Sequence, residues 1–168
     1  MMDLSSIKLL AMDVDGTLTD GMVYMGPDGE AMKAFSIKDG YAIARLLPET
    51  GVVPAIITGR ESGIVSRRCS ELGINELHQG VQDKVETLLA ILSGRGIRLQ
   101  EVAYVGDDLN DLSCIDCVRN AGGFTACPAD AAEDVRSAVN YVSTMLGGKG
   151  FVREIIEMIA ASATETVE

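Results

Sequence analysis

Ile7-Lys8-Leu9-Leu10-Ala11-Met12-Asp13-Val14-Asp15-Gly16-Thr17 is an apolar run, residues 7–14, that ends in acid and glycine. A strand covered on both faces needs no polar alternation, so this run reads as an inner strand of a parallel sheet. Two further runs end in the same manner. Residues 52–57 stop at Thr58-Gly59-Arg60, and residues 102–105 run into Gly106-Asp107-Asp108. Residues 76–79 and 123–127 read as shorter strands. Between them, helical spacing is expected over 40–47, 61–72, 84–92, 110–117 and 131–139, and over 151–161 after Gly147-Gly148-Lys149-Gly150. Pro48 should end or kink the first of these helices, and Gly73 should stop the second. Val85, Leu88, Leu89 and Leu92 are expected on one apolar face. Residues 22–25 and 31–35 flank Gly26-Pro27-Asp28-Gly29, which signals a hairpin.

Strands alternating with helices predict a single α/β domain over 1–168, with 162–168 a frayed tail. The expected architecture is a three-layer Rossmann-like parallel sheet with helices on both faces and a hairpin flap after the first strand. In such sheets ligands bind beyond the carboxyl ends of the strands. Asp13, Thr58 and Asp107 all fall at that edge.

Composition bounds the rest. The 168 residues are 47% apolar and 23% charged, as in a globular domain rather than a disordered chain. A net charge of −11 argues against nucleic acid and anionic membranes as partners. An anion site must then be made locally positive by a metal and a few chosen cations. The start shows no basic region leading into a long apolar run, so no secretory leader is expected, and no stretch approaches a membrane span. Cys69, Cys114, Cys117 and Cys127 show no disulfide framework, which makes the cytoplasm the expected location. Cys114 and Cys117 form a C-x-x-C that no second pair completes as a metal site, so they read as small helix residues. His78, the only histidine, reads as structural, and the methionines as core filler.

Four pieces would meet at the sheet edge: Asp13-Val14-Asp15-Gly16-Thr17-Leu18-Thr19, Thr58-Gly59-Arg60, Lys84, and Gly106-Asp107-Asp108-Leu109-Asn110-Asp111. Each alone has a plainer reading, as turn, helix start, solvated lysine or helix cap. Against a calcium loop, the further oxygen ligands and the Glu at the twelfth loop position are missing. Phosphoryl transfer needs this set of groups: a carboxylate to attack phosphorus, a second carboxyl to protonate the leaving oxygen, and a hard cation on oxygen ligands. A hydroxyl and an ammonium would hold the remaining phosphoryl oxygens.

In this order, each after a strand, the four pieces resemble the haloacid dehalogenase superfamily of phosphatases. The resemblance implies that Asp13 is the nucleophile and a metal ligand, and that Asp15 is the general acid and then the base. The Asp15 backbone carbonyl would also lie on the metal. It implies that Thr58, Gly59 and Lys84 bind the phosphoryl group and that Asp107 ligates Mg2+. Asp108, Asn110 and Asp111 would ligate it directly or hold the ligands in place. Gly16 would let backbone N–H groups approach the phosphate.

The short gaps between the motifs leave no room for a cap domain. Lys38-Asp39-Gly40, Thr58-Gly59-Arg60-Glu61-Ser62, Arg67-Arg68-Cys69, Glu71-Leu72-Gly73-Ile74, Gln79-Gly80-Val81-Gln82-Asp83-Lys84 and Gly147-Gly148-Lys149-Gly150-Phe151-Val152-Arg153-Glu154 sharpen the likeness. Over residues 7–158 the chain resembles the 3-deoxy-D-manno-octulosonate 8-phosphate phosphatases of lipopolysaccharide biosynthesis. That resemblance implies a homotetramer whose hairpin and C-terminal segment reach a neighbouring subunit's site. Lys149 stands where that family's tail carries Arg, keeping the charge and losing the planar fork. Relatives acting on nine-carbon sugar acid 9-phosphates tend to carry Glu after Thr-Gly; Arg60 favours the eight-carbon substrate, with the nine-carbon one as the alternative. Arg60, Arg68, Lys149 and Arg153 are the candidates to pair with the substrate carboxylate, against plain surface ion pairing. Two rival readings carry less of the sequence. A non-catalytic oligomerisation domain would not need the intact motifs, and a receiver domain would carry its phospho-accepting Asp in mid-chain.

Overall fold

The structure, a computed structural model, describes residues 3–165. In chain order its strands are β1 (Leu9–Met12), β2 (Tyr24–Gly26), β3 (Gly29–Met32), β4 (Val53–Ile57), β5 (Glu76–His78), β6 (Val102–Val105), β7 (Phe124–Cys127) and β8 (Tyr141–Val142). The helices are α1 (Ile37–Tyr41), α2 (Leu47–Thr50), α3 (Gly63–Leu72), α4 (Lys84–Arg95), α5 (Leu112–Asn120), α6 (Glu133–Ala138) and α7 (Phe151–Glu165).

The apolar run before Asp13 lies at the centre of a six-stranded sheet of order β5-β4-β1-β6-β7-β8, parallel throughout. All four residues of β1 are fully buried, as are all of β6 and most of β4. The pleat sends alternate side chains to opposite faces. Leu10, Met12, Ile56 and Val105 meet Ile43, Leu47, Val65, Phe151 and Ile155 on one face. Leu9, Ala11, Ile57 and Tyr104 meet Leu88, Ile91, Ile115 and Val118 on the other. The α/β reading therefore holds, with helices on both faces. Between β1 and β4 stand only the β2–β3 hairpin and one helical segment, so no cap is inserted among the described residues. None of the described helices is long and apolar enough to cross a membrane.

Several local expectations change. Pro48 does not end its helix: residues 37–50 are helical throughout, with a π turn over Ala42–Leu46 between α1 and α2. Pro48 falls in the first turn of α2, where a missing N–H costs least, and left-handed Gly51 makes the stop. A 3-10 turn, Leu109–Asp111, precedes α5, which begins later than the spacing suggested and runs to Asn120. Leu89 is 44% exposed, and Ile91 takes its place on the buried face of α4. The two-residue strand β8 had no detectable pattern. Residues 162–165 continue α7; the remainder of the expected tail lies outside the described residues.

Candidate active site

The carboxyl ends of β1, β4 and β6 converge on one cleft of about 160 Å3. Asp13, Asp15, Thr58, Gly59, Arg60, Asp108 and Asn110 line it. Gly59 and Asn110 also line an adjoining hollow of about 420 Å3, together with Lys84. Each loop is tied to its neighbour. Asp13 N donates to Val105 O (3.0 Å) and Thr58 N to His78 O (3.0 Å). The Thr17 hydroxyl donates to Asp107 Oδ1 (3.1 Å).

Asp13, Asp107 and Asp111 bring carboxylate oxygens within 4.8 Å of one another. Lys84, at the start of α4, reaches into the cluster. Its Nζ donates to Asp13 Oδ1 (2.9 Å) and to Asp111 Oδ1 (2.8 Å). Burial pushes the Asp107 carboxyl up to about 7, with Asp13 and Asp111 adding to the effect. Burial and then Asp111 also raise Asp13, while Lys84 pulls it back. Burial works against the Lys84 charge, but Asp13 and Asp111 outweigh it and raise its value. Three carboxylates against one ammonium leave a formal charge of −2 when all are ionised. Crowded like charges of this kind are relieved by a divalent cation, and hard oxygen donors suit magnesium. The residues therefore fit such an ion.

The structure separates roles among the acids that the sequence left open. Asp111 is fully buried and its carboxylate is saturated. Oδ1 accepts from Tyr104 (2.7 Å) and Lys84, and Oδ2 from the amides of Asp107 (3.1 Å) and Asp108 (3.4 Å). A carboxylate offers about four acceptor positions, and all four of Asp111's are taken by these donors, whereas Asp13 accepts from Lys84 and Asp107 from Thr17. Asp108 caps the following turn by accepting from Leu109 N (2.8 Å). Gly16 has φ 93°, and a side chain there would run into the Asp107 carboxylate. Its amide is not free for an anion, since it donates to Thr19 Oγ1 (3.2 Å).

The hairpin folds back over this site. The Lys33 ammonium donates to Asp15 Oδ1 and lies 3.4 Å from Glu30 Oε2. Glu30 accepts from Arg60 Nη2 (3.3 Å) and from the Ser62 hydroxyl, and Arg60 Nε is 3.6 Å from Asp15 Oδ2. Asp15, Lys33, Glu30 and Arg60 thus close a ring of alternating charge. Neither Glu30, Lys33 nor Tyr104 had been singled out from sequence, because isolated hairpin and strand residues carry no motif.

Of the four candidate carboxylate partners, only Arg60 lines the cleft. Arg68, on α3, lies over the Phe35 ring and beside Glu71. Arg153 pairs with Glu157 (2.7 Å) and flanks a groove with Lys38 and Met145. Lys149 is exposed on the glycine loop. That loop does reach the motif: Gly148 N donates to Thr17 O (3.1 Å), and a side chain on Gly147 would strike the Gly16 carbonyl. Asp39, fully buried, anchors the loop's far end by accepting from the amides of Gly150 (3.3 Å) and Arg153 (3.0 Å).

Fold and site together define a phosphatase of the haloacid dehalogenase superfamily without a cap, a phosphoric monoester hydrolase. The chain is 41% identical over 154 residues to 3-deoxy-D-manno-octulosonate 8-phosphate phosphatase KdsC of Escherichia coli (strain K12), covering 92% of this chain and 79% of that protein. It superposes with a TM-score of 0.89 on the 3-deoxy-D-manno-octulosonate 8-phosphate phosphatase of Moraxella catarrhalis, solved in complex with magnesium ion, phosphate ion and KDO. That pair is 39% identical, over 97% of this chain and 91% of the other. The cobalt-bound deoxy-D-mannose-octulosonate 8-phosphate phosphatase (YrbI) of Haemophilus influenzae gives a TM-score of 0.90 at 34% identity, over 98% of this chain and 94% of the other. No protein-family model matches the chain. The chain belongs to the family of 3-deoxy-D-manno-octulosonate 8-phosphate phosphatases.

Proposed function

We propose that this protein hydrolyses 3-deoxy-D-manno-octulosonate 8-phosphate to the free sugar acid and phosphate, through a phosphoryl group carried on Asp13. The observation that carries the assignment of Asp13 is its carboxylate at the cleft floor, held by Lys84 and facing the same space as Asp15 and Thr58.

The Asp13 carboxylate attacks phosphorus, and the bond from phosphorus to the C8 oxygen breaks. Asp15, released from its ion pairs with Lys33 and Arg60 and carrying a proton, gives that proton to the oxygen, which leaves as the sugar hydroxyl. In the second step a water attacks phosphorus, Asp15 takes the water's proton, and the bond to Asp13 breaks to release phosphate. Thr58 and Lys84 hold the phosphoryl oxygens as charge shifts among them. Asp13, Asp107 and the Asp15 backbone carbonyl would hold Mg2+, which when bound neutralises charge on the phosphoryl oxygens. Asp111 holds Lys84 and the Asp107 loop, while Asp108 and Asn110 shape the cleft wall. Arg60, at the mouth and already paired with carboxylates, is the first choice for the substrate's carboxylate.

The active form we propose is a homotetramer in the cytoplasm, supplying the sugar acid for lipopolysaccharide biosynthesis. Met22, Tyr24, Met25, Met32, Ile37 and Tyr41 are all exposed on and beside the hairpin, which supports a subunit contact there. In that assembly Arg68, Lys149 and Arg153 would serve a neighbouring subunit's site. The four free cysteines fit a reducing compartment.

The test is magnesium-dependent phosphate release from the eight-carbon and nine-carbon keto-sugar acid phosphates, with Asp13→Asn as control. Preference for the eight-carbon substrate, lost in Asp13→Asn, is the expected result. Preference for the nine-carbon substrate would overturn the substrate assignment and leave the chemistry standing.

A further inference from the structure

Tyr104 is the one polar side chain in β6, between Ala103 and Val105 in an otherwise apolar strand. It is fully buried and packs with Leu9, Ala11 and Ile57 against α4 and α5. Packing alone would be satisfied by phenylalanine. A buried phenol needs a hydrogen-bond partner, and this one is Asp111 Oδ1 at 2.7 Å. The same oxygen receives Lys84 Nζ at 2.8 Å, and Lys84 divides its ammonium between Asp111 and Asp13.

Two donors on one carboxylate oxygen share its negative charge, so each is held less strongly than it would be alone. We propose that Tyr104 is a positioning residue of the phosphoryl-transfer site: its hydroxyl fixes Asp111 and moderates that carboxylate's pull on Lys84, keeping the ammonium turned to Asp13 and the phosphoryl oxygens. Without the hydroxyl, Asp111 Oδ1 has only Lys84 to satisfy it, and the lysine shifts away from the reacting group. The proposal rests on the phosphatase reading given above. Tyr104 touches no reacting atom; its hydroxyl also lies beside the Cys114 thiol, and Asp111 is its link to Lys84.

The experiment is a double-mutant cycle of Tyr104→Phe and Asp111→Asn in the full chain with saturating magnesium. It is read by turnover of an aryl phosphate and, separately, by calorimetric binding of orthovanadate as a phosphoryl mimic. Tyr104→Phe should lower kcat roughly tenfold, the equivalent of one hydrogen bond, and weaken vanadate binding to a similar degree. Its magnesium affinity should change less than its kcat, because Asp13 and Asp107 are untouched. Adding Tyr104→Phe to Asp111→Asn should cost nothing further, since the two act as a unit. If the phenylalanine variant does not fold, Tyr104→Met runs the same cycle. Losses that multiply in the double variant, or a folded Tyr104→Phe with parental kcat and vanadate affinity, would overturn the proposal. A parent chain that binds vanadate with the expected coupling but releases no phosphate would defeat the functional reading and not this one.

Discussion

Lys84 Nζ stands 2.9 Å from Asp13 Oδ1, and the two side chains are 4% and 6% exposed. The lysine is therefore a structural counter-charge before any substrate arrives. It is the only cation within hydrogen-bond reach of the three clustered acids among the described residues.

Replacing Lys84 with Met should leave buried carboxylates without a partner. Breaking a buried pair of this kind costs about 3–5 kcal/mol, partly offset as the acids take up protons. The metal-free variant should melt well below the parent, and magnesium should restore much of the difference. Turnover should fall at least ~100-fold, as for loss of one oxyanion donor. Melting curves with and without magnesium, alongside phosphate release, check both parts.

The acid cluster also sets a pH dependence for the metal-free chain. Asp107 is raised to about 7 by burial and its neighbours, and Asp13 is raised as well. From the ordinary carboxylate range up to that value, the folded chain binds more protons than the unfolded one. The stability contribution of these groups therefore falls as pH rises through the window. Magnesium competes with those protons, so its stabilisation should be larger near pH ~8 than near pH ~5.5. Thermal unfolding at both values, with and without the ion, reads this directly. Equal magnesium shifts at both would contradict it.

Asp15 lies in the cleft with Asp13 and is assigned the proton transfers. Its removal should matter most where the leaving oxygen is a poor one. Asp15→Asn should lower kcat/KM for an alkyl phosphate by ~100-fold or more, and for a 4-nitrophenyl phosphate by much less. Asp13→Asn should abolish both. A uniform loss across leaving groups in Asp15→Asn would remove the general-acid assignment.

Glu30 links the hairpin to Arg60, Ser62 and Lys33 at the cleft mouth. Arg60 is 54% exposed, so solvent screens its share, and the effect on global stability should be under about 1 kcal/mol. The local effect should be larger. In Glu30→Gln, amide hydrogen exchange over β2 and β3 should quicken by about tenfold, while β1 and β6 stay protected. Unchanged exchange in the hairpin would show that other contacts hold it down.

Much of this molecule was legible before any coordinates. Residues 7–14, 52–57 and 102–105 carry the hydrophobicity that only two-sided burial explains, and each ends in a polar motif. Parallel strands deliver all their carboxyl ends to one edge, so Asp13, Thr58 and Asp107 had to meet. Less was legible in the short or irregular pieces. Strand β8 has two residues, and the π turn before Pro48, which lies against α7, has no sequence signal of its own. Leu89 and Ile91 satisfy a helical period about equally well, and only the packed sheet decides between them.

By itself the order of residues determined the fold class and the site's edge, which follow from local periodicity and strand direction, while the set of acids came from the resemblance of their motifs to a phosphatase superfamily. Only the tertiary structure decided which acid is saturated, which cation reaches the cleft, and where the hairpin lands. Those outcomes depend on side chains brought together from far apart: Lys84 and Asp13 are 71 positions apart, and Thr17 and Asp107 are 90. The first distance is set by how α4 packs on the sheet and the second by the pairing of β1 with β6, and no local pattern encodes either result.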